Sequence, residues 1–268
     1  MKVSRSFPLV VVWLTLTMLA ILLQWGAGAY RGDFGGHPDE GAHFVTGLMV
    51  RDYLASGIPG HPMRYAEEYS AHYPKVALGH YPPAFYMVEG IWLVLFPVGR
   101  ASVMVLMAVL CGTFGVLVFA SARRVTGAVH AAAALGLVAV CLPLTQTLTT
   151  TVMSDLLLAI FVVLSAWFFI RFMEREKWID SLAFGCLATA ATMTKGSGLF
   201  LALVPPLAIV LTGKYHLLKK GALWIAPLPV LLICGPWLYF SSKITAEGMV
   251  DRGSIEHLKL ALPYFANQ

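Results

Sequence analysis

The chain alternates between long apolar runs and short polar connections. About 20 apolar residues are needed to cross the hydrocarbon core of a membrane, so each long run predicts a transmembrane helix. In chain order the runs are residues 7–25, 101–122, 129–147, 156–170, 178–194, 199–211 and 222–240. This pattern predicts an all-α fold, a polytopic transmembrane helical bundle with about seven spans.

One further apolar segment, residues 83–96, is not counted as a span, because crossing there would move Arg123 and Arg124 to the outer side, against the positive-inside rule. Its 14 residues would form a helix of about 21 Å, against about 30 Å of hydrocarbon. It also carries Glu89, and a carboxylate at the bilayer centre costs about 2.5 to 3.5 kcal/mol. We therefore predict an interfacial or re-entrant helix here.

The long polar stretch at residues 30–82 is expected to form the first outer loop. A helix beginning at Asp39 would place Phe44, Val45, Leu48 and Met49 on one apolar face, which is typical of an amphipathic helix lying on the membrane surface. We accordingly predict one transmembrane module over residues 1–240. Residues 241–268 would begin a further outer loop or tail.

Composition supports a membrane protein and excludes a soluble globular enzyme. Hydrophobic residues make up 58% of the chain and charged residues 12%, with a mean hydropathy of +0.74. Soluble domains carry about 25% charged residues. The net charge of +5 is expected from basic cytoplasmic loops rather than from nucleic-acid binding, because no basic cluster is interleaved with aromatic residues.

Charge placement predicts the orientation. With a cytoplasmic N-terminus, ten of the 19 basic residues and only three of the 14 acids fall on the inner side, as the positive-inside rule requires. The acids then gather on the outer face. A transporter or flippase subunit is the competing interpretation, but transporters usually place ionisable groups near mid-membrane. A catalytically inactive fragment that acts as a scaffold is the other alternative.

Asp39, Glu40 and His43 are the first group of candidate residues. Asp39 and His43 are four positions apart and share a helical face. One interpretation makes Asp39 an N-cap and Glu40 a favourable first-turn acid. The other makes Asp39 a general base or a metal ligand at the membrane surface.

Three later positions offer similar alternatives. Ser154 and Asp155 lie at the outer start of a span. Either Ser154 is a simple N-cap and Asp155 a partner of the helix dipole, or Asp155 is a second functional acid. His80 lies in a rigid turn before Pro82-Pro83, and could bind metal or phosphate. Lys195 either snorkels or pairs with an anionic lipid phosphate.

Six motifs occur in a familiar order. They are Asp39-Glu40, His80 with Pro82-Pro83-Ala84-Phe85-Tyr86, Arg123 to Gly127, Ser154 to Leu158, Thr194-Lys195-Gly196 and Gly235-Pro236-Trp237. Together they resemble the C-type (GT-C) membrane glycosyltransferases. The nearest branch is the bacterial one, related to protein O-mannosyltransferases and to the aminoarabinose transferase of lipid A (glycosyltransferase 39-like).

The resemblance implies a function and a set of roles. The enzyme would move a sugar, with inversion, from a polyprenyl phosphate to a lipid, glycan or protein acceptor on the outer face of the bacterial cytoplasmic membrane. Asp39, Glu40 and Asp155 become catalytic candidates. His80, Tyr81, Lys195 and Arg252 become candidates for binding the donor phosphate.

A divalent metal (Mg²⁺, Mn²⁺ or Zn²⁺) is the one cofactor considered, with Asp39, His43, His80 and Asp155 as its possible ligands. Membrane lipids are expected partners. Members of this class are usually longer, so a C-terminally truncated member, or a minimal module that needs a partner, is also expected.

Overall fold

The computed structural model describes residues 9–249, with side chains described through Lys243. Within that range the regular elements are helices, and no strand occurs. The α-helices are α1 (Leu9–Gly26), α2 (Glu40–Ala55), α3 (Pro62–His72), α4 (Ala84–Leu95), α5 (Arg100–Thr126), α6 (Val129–Cys141), α7 (Pro143–Thr149), α8 (Asp155–Arg175), α9 (Trp178–Thr194), α10 (Val204–Thr212), α11 (Pro227–Pro229) and α12 (Gly235–Met249). The predicted all-α membrane fold is confirmed.

The predicted number of seven spans is not confirmed. In residues 9–249, four helices are long and apolar enough to cross a membrane: α1, α5, α8 and the C-terminal segment Gly221–Lys243. A fifth is possible if α6 and α7, which meet at a bend of 57°, form one broken span. The break lies at Pro143, because proline cannot supply the backbone N–H that a continuous helix needs. The segment Gly196–Thr212, which starts as a 3₁₀-helix, and α9 are shorter.

Helix α5 is the central element of the bundle. It packs along α1 and α6 and also contacts α8. Glycines allow the close approaches: a side chain at Gly112 would collide with Thr17 of α1, and one at Gly115 with Val140 of α6. The helix ends at Gly127, which adopts the left-handed conformation that favours glycine.

The two ends of α5 define two ends of the molecule. Its first residue, Arg100, contacts Glu40 at the start of α2. Near its last turn, Arg124 pairs with Glu174 of α8. The 27 residues of α5 correspond to about 40 Å of helix, so these two ion pairs lie on opposite sides of a membrane-thick bundle. We call the two ends of the molecule the Asp39 end, where Arg100 meets Glu40, and the Arg124 end, where Arg124 meets Glu174.

Helix α9 runs antiparallel to α8 and connects these ends. Lys195, just after α9, pairs with Asp155 at the start of α8. Near the Arg124 end, Arg171 of α8 pairs with the buried Asp180 of α9. The Asp155 side chain is thereby fixed at the Asp39 end.

Helices α2, α3 and α4 form a layer at the Asp39 end, as predicted for the 30–82 loop and the short segment after it. Helices α2 and α4 pack closely because Gly47 lies against Glu89 and Gly90 lies against Val50. The Glu89 side chain is fully buried, and neither carboxylate oxygen has a hydrogen-bond partner among the described residues. Burial holds the pKa of Glu89 well above its ordinary value.

Candidate active site

Asp39 presents a partly exposed carboxylate at the centre of the Asp39 end. It occupies the N-cap position of α2, as one interpretation predicts, but its side chain makes no capping hydrogen bond. Instead Oδ2 accepts a hydrogen bond of 2.7 Å from the Tyr81 hydroxyl. The side chain remains 41% exposed, which leaves it accessible to a substrate.

Glu40, the next residue, is completely buried and holds the Asp39 loop in place. Its Oε2 accepts hydrogen bonds of 3.0 Å from the backbone N–H groups of Gly35 and Gly36. Its Oε1 accepts one of 2.6 Å from Arg100 and one of 3.2 Å from the Val152 N–H. Because both oxygens are engaged inside the protein, Glu40 acts as a positioning residue.

Arg100 completes this buried arrangement. Its guanidinium also donates to the carbonyl oxygens of Ala29 at 3.0 Å and Thr150 at 3.2 Å. One side chain therefore ties together the end of α1, the start of α5 and the loop before α8. The Glu40–Arg100 pair brings residues 151–155 to the same end as Asp39.

Asp155 and Lys195 form a second charged pair at this end. Lys195 Nζ lies 2.7 Å from Asp155 Oδ1, and both side chains are about one-third exposed, at 32% and 27%. Ser154 occupies the N-cap position of α8 without making a capping hydrogen bond, which again differs from the simple cap interpretation. Lys195 neutralises the charge of Asp155, and Asp155 in turn holds the Lys195 ammonium group at the Asp39 end.

His43 lies beneath Asp39, on the next turn of α2. Its Nδ1 is 3.0 Å from the hydroxyl of Tyr86, and the Tyr81 ring lies against it with centroids 4.7 Å apart. Burial lowers the pKa of His43 to about 4, against the opposing effect of Asp39. The imidazole is therefore neutral near pH 7.

Three further residues were predicted to bind the donor phosphate: Tyr81, His80 and Arg252. Tyr81 contacts Asp39, and its pKa rises to about 12 because of burial first and the Asp39 hydrogen bond second. His80 is exposed and makes no hydrogen bond or ion pair among the described residues. Arg252 lies outside the described residues.

The residues at this end do not by themselves form a metal site. Within residues 9–249, no group of three His, Cys, Asp or Glu side chains is arranged to hold a metal ion. Asp155 is already paired with Lys195, and His80 points to no partner. The four predicted ligands thus do not fit a resident metal centre, and we derive no step through one.

An apolar cavity of about 360 Å³ lies between α9, the Gly196–Thr212 segment and the C-terminal segment. Thr192 and Gly198, three positions before and after Lys195, border one part of it, although Lys195 and Asp155 do not line it. Leu218 and Trp224 border another part, near the Arg124 end. The cavity therefore extends from the neighbourhood of Lys195 toward the Arg124 end.

Comparison with known families identifies the class of protein. Residues 80–240 match the family described as dolichyl-phosphate-mannose-protein mannosyltransferase, a range that exceeds half of the 268 residues. The chain belongs to this family. No curated protein and no solved structure matches it significantly.

Membership in the mannosyltransferase family makes this chain a membrane glycosyltransferase of the GT-C type. The predicted resemblance is thereby confirmed. The match begins at His80, so Asp39 and Glu40 lie before it. Two contacts, Tyr81 with Asp39 and Arg100 with Glu40, connect the matched part to these acids.

Sequence reasoning missed Arg100 and Tyr86 as members of this site. Arg100 stands alone at the start of an apolar run, next to the acid-rich end, and its charge was a usable signal. Tyr86 lies within the Pro-Pro-x-x-Tyr motif, but only packing of α4 on α2 brings its hydroxyl to His43.

Proposed function

We propose that this protein transfers a sugar from a polyprenyl phosphate to a hydroxyl or amine of a lipid, glycan or protein acceptor. The single observation that carries the proposal is the accessible Asp39 carboxylate, which lies on the same end as the Asp155–Lys195 pair. An apolar cavity is bordered by Thr192 and Gly198, three positions before and after Lys195. A donor with a sugar, a phosphate and a long isoprenoid needs these three environments together.

In the proposed reaction Asp39 is the general base. The acceptor oxygen or nitrogen attacks the anomeric carbon and its proton passes to Asp39. The bond from that carbon to the phosphate oxygen breaks, and its electron pair leaves with the polyprenyl phosphate. One displacement inverts the configuration at the sugar carbon. General base catalysis typically contributes 10² to 10⁴ in rate.

Lys195 is suited to stabilise the charge that develops on the leaving phosphate. It is one-third exposed and is held by Asp155, and it lies three positions along the chain from Thr192 and Gly198, which border the apolar cavity. In this proposal the isoprenoid occupies the apolar cavity while the phosphate lies beside the lysine. Arg252 is proposed as a second cation.

We place this chemistry on the outer face of a bacterial cytoplasmic membrane. The described basic residues at the Arg124 end support the assignment, because cytoplasmic loops are rich in Lys and Arg. They are Arg123, Arg124, Arg171, Arg175, Lys177, Lys214, Lys219 and Lys220. The Asp39 end would then face outward, where exported polyprenyl-linked sugars are presented.

The test is sugar transfer by the purified chain in nanodiscs, using radiolabelled polyprenyl-phosphate sugars and membrane extract as the acceptor source. Asp39→Asn should lower transfer at least 100-fold with unchanged protein abundance. Asp33→Asn, an exposed acid in the same loop, is the matched control and should retain activity. Normal turnover by Asp39→Asn would remove Asp39 from the mechanism.

A further inference from the structure

Several buried polar atoms at the Asp39 end have no hydrogen-bond partner among the described residues. They include Nε2 of His43, on the turn of α2 that follows Asp39, and Oδ2 of Asp155. A buried polar atom without a partner is energetically costly, and such atoms are uncommon in folded proteins. A ligand with hydroxyl groups could satisfy both of these atoms.

His43 is held rigidly for such a role. Its Nδ1 is occupied by the Tyr86 hydroxyl at 3.0 Å, and the rings of Tyr81, Phe85 and Tyr86 surround it at centroid distances of 4.7, 5.7 and 5.6 Å. The Tyr86 hydroxyl and the imidazole can exchange donor and acceptor roles, so Nε2 either donates or accepts. A hydroxyl group can satisfy it in both cases.

Asp155 limits further which chemical groups can be the ligand. Its Oδ1 is taken by Lys195 at 2.7 Å, while Oδ2 can only accept a hydrogen bond. A phosphate oxygen would be repelled there, whereas a sugar hydroxyl donates to it. Asp155 also acts electrostatically on both His43 and Tyr81, which is consistent with all three bordering one space.

In this arrangement Tyr81 occupies the space that a bound sugar would need. Its ring lies against His43, and its hydroxyl hydrogen-bonds the Asp39 carboxylate. Tyr81 also lines a cavity of about 190 Å³ between α2, α3 and α4. That cavity is the space into which the ring would move.

We propose that His43 Nε2 and Asp155 Oδ2 bind hydroxyl groups of the transferred sugar, in the place that Tyr81 vacates when the donor enters. The inference rests on the proposed function and adds to it the residues that recognise the transferred sugar. It makes His43 a specificity-determining residue and Asp155 a sugar ligand as well as the partner of Lys195.

The experiment pairs donor analogues with two variants of His43. The donor is the best substrate among polyprenyl phosphates of mannose, glucose, galactose and 4-amino-4-deoxyarabinose, together with its monodeoxy analogues. His43→Asn keeps a polar partner for Tyr86 but lacks a group at Nε2, whereas the amide of His43→Gln reaches that position. The matched control is His72→Phe, an exposed histidine of α3.

In the wild-type enzyme, removing the hydroxyl bound by His43 should lower kcat/KM about 10-fold or more, since hydrogen bonds to well-placed buried groups are worth about 1.5 kcal/mol or more. In His43→Asn the natural donor should react more slowly by a similar factor. The deoxy analogue that lacks the hydroxyl bound by His43 should then react as fast as the natural donor. His43→Gln should restore part of the discrimination. His72→Phe should behave as wild type.

A second arm tests Asp155. Asp155→Asn should lose discrimination at a different hydroxyl from the one that His43 reads. Sugar transfer with unchanged ratios for every analogue in His43→Asn and Asp155→Asn would overturn this inference alone. No transfer from any of the four donors would overturn the proposed function, and this inference with it.

Discussion

The hydroxyl of Tyr81 donates a hydrogen bond of 2.7 Å to Oδ2 of Asp39, across 42 positions of sequence. The bond joins the turn before α4 to the first residue before α2. The contact holds the carboxylate in place. In the reaction proposed above, the same oxygen would compete for the acceptor proton, so the bond would be broken or shared when substrates bind.

Replacing Tyr81 by phenylalanine should make donor binding easier. The variant keeps the ring against His43 but removes the bond to Asp39, and hydrogen bonds to charged groups contribute about 1.5 to 3 kcal/mol. If part of that energy opposes entry of the donor, its KM should fall by about 3-fold to 10-fold with little change in kcat. Steady-state kinetics over a donor concentration series measures both constants. A higher KM would show that Tyr81 binds the substrate directly.

Replacing Arg100 by methionine should destabilise the whole Asp39 end. Glu40 is completely buried while its partner Arg100 is 13% exposed, and removing one partner of a buried pair costs about 3 to 5 kcal/mol. We expect a large loss of thermal stability and of transfer. The double variant Glu40→Gln/Arg100→Met should recover part of the stability, because no uncompensated charge remains.

The control for this prediction is the exposed pair of Arg64 and Glu68 on α3, whose side chains are 81% and 63% exposed. Such pairs contribute about 0 to 1 kcal/mol. Arg64→Met should therefore leave the unfolding temperature nearly unchanged in a detergent-based thermal assay. Equal losses for Arg100→Met and Arg64→Met would contradict the positioning role of Arg100.

The sequence was sufficient to predict the helices and the end at which the acids gather. Long apolar runs predict α1, α5 and α8 because the membrane demands a minimum length, and charge placement predicts that Asp39 and Asp155 share an end. The contacts between them were not predictable. The Glu40–Arg100 pair depends on where α5 begins relative to α1, and this is set by close packing such as that of Gly112 on Thr17.

Asp39 and Ser154 occupy N-cap positions without side-chain capping bonds. Local sequence favours such bonds wherever a residue of this kind precedes a helix. Tertiary partners compete with that local preference, and the Tyr81 hydroxyl that binds the Asp39 carboxylate comes from a turn 42 positions away. The count of seven spans is not confirmed, because helix breaks such as the one at Pro143 depend on how the chain bends, which an apolar run does not reveal.

Glu89→Gln should change how stability depends on pH. Burial raises the pKa of Glu89 well above its ordinary value of 4.5 in the folded chain, so the neutral carboxyl stabilises the fold fully below about pH 4.5 and this contribution is lost as the pH rises. Glutamine is neutral at every pH. The variant should match wild type near pH 4.5 and unfold a few degrees higher near pH 8. A parallel shift at both pH values would contradict a buried, protonation-dependent carboxyl.

Replacing Lys195 by methionine should impair the use of the donor's phosphate. Lys195 is the described cation that pairs with Asp155 at the Asp39 end, and loss of one stabilising charge in a partly enclosed site typically costs about 10²-fold to 10³-fold in kcat. Lys195→Arg preserves the charge and should retain much more activity. Lys75→Met removes an exposed lysine from the loop before α4, and its kcat/KM should equal that of wild type.

Because Asp155 loses its partner in Lys195→Met, the double variant Lys195→Met/Asp155→Asn separates the two effects. If activity returns in the double variant, Lys195 serves only to neutralise Asp155; if it stays low, the lysine itself stabilises the leaving phosphate.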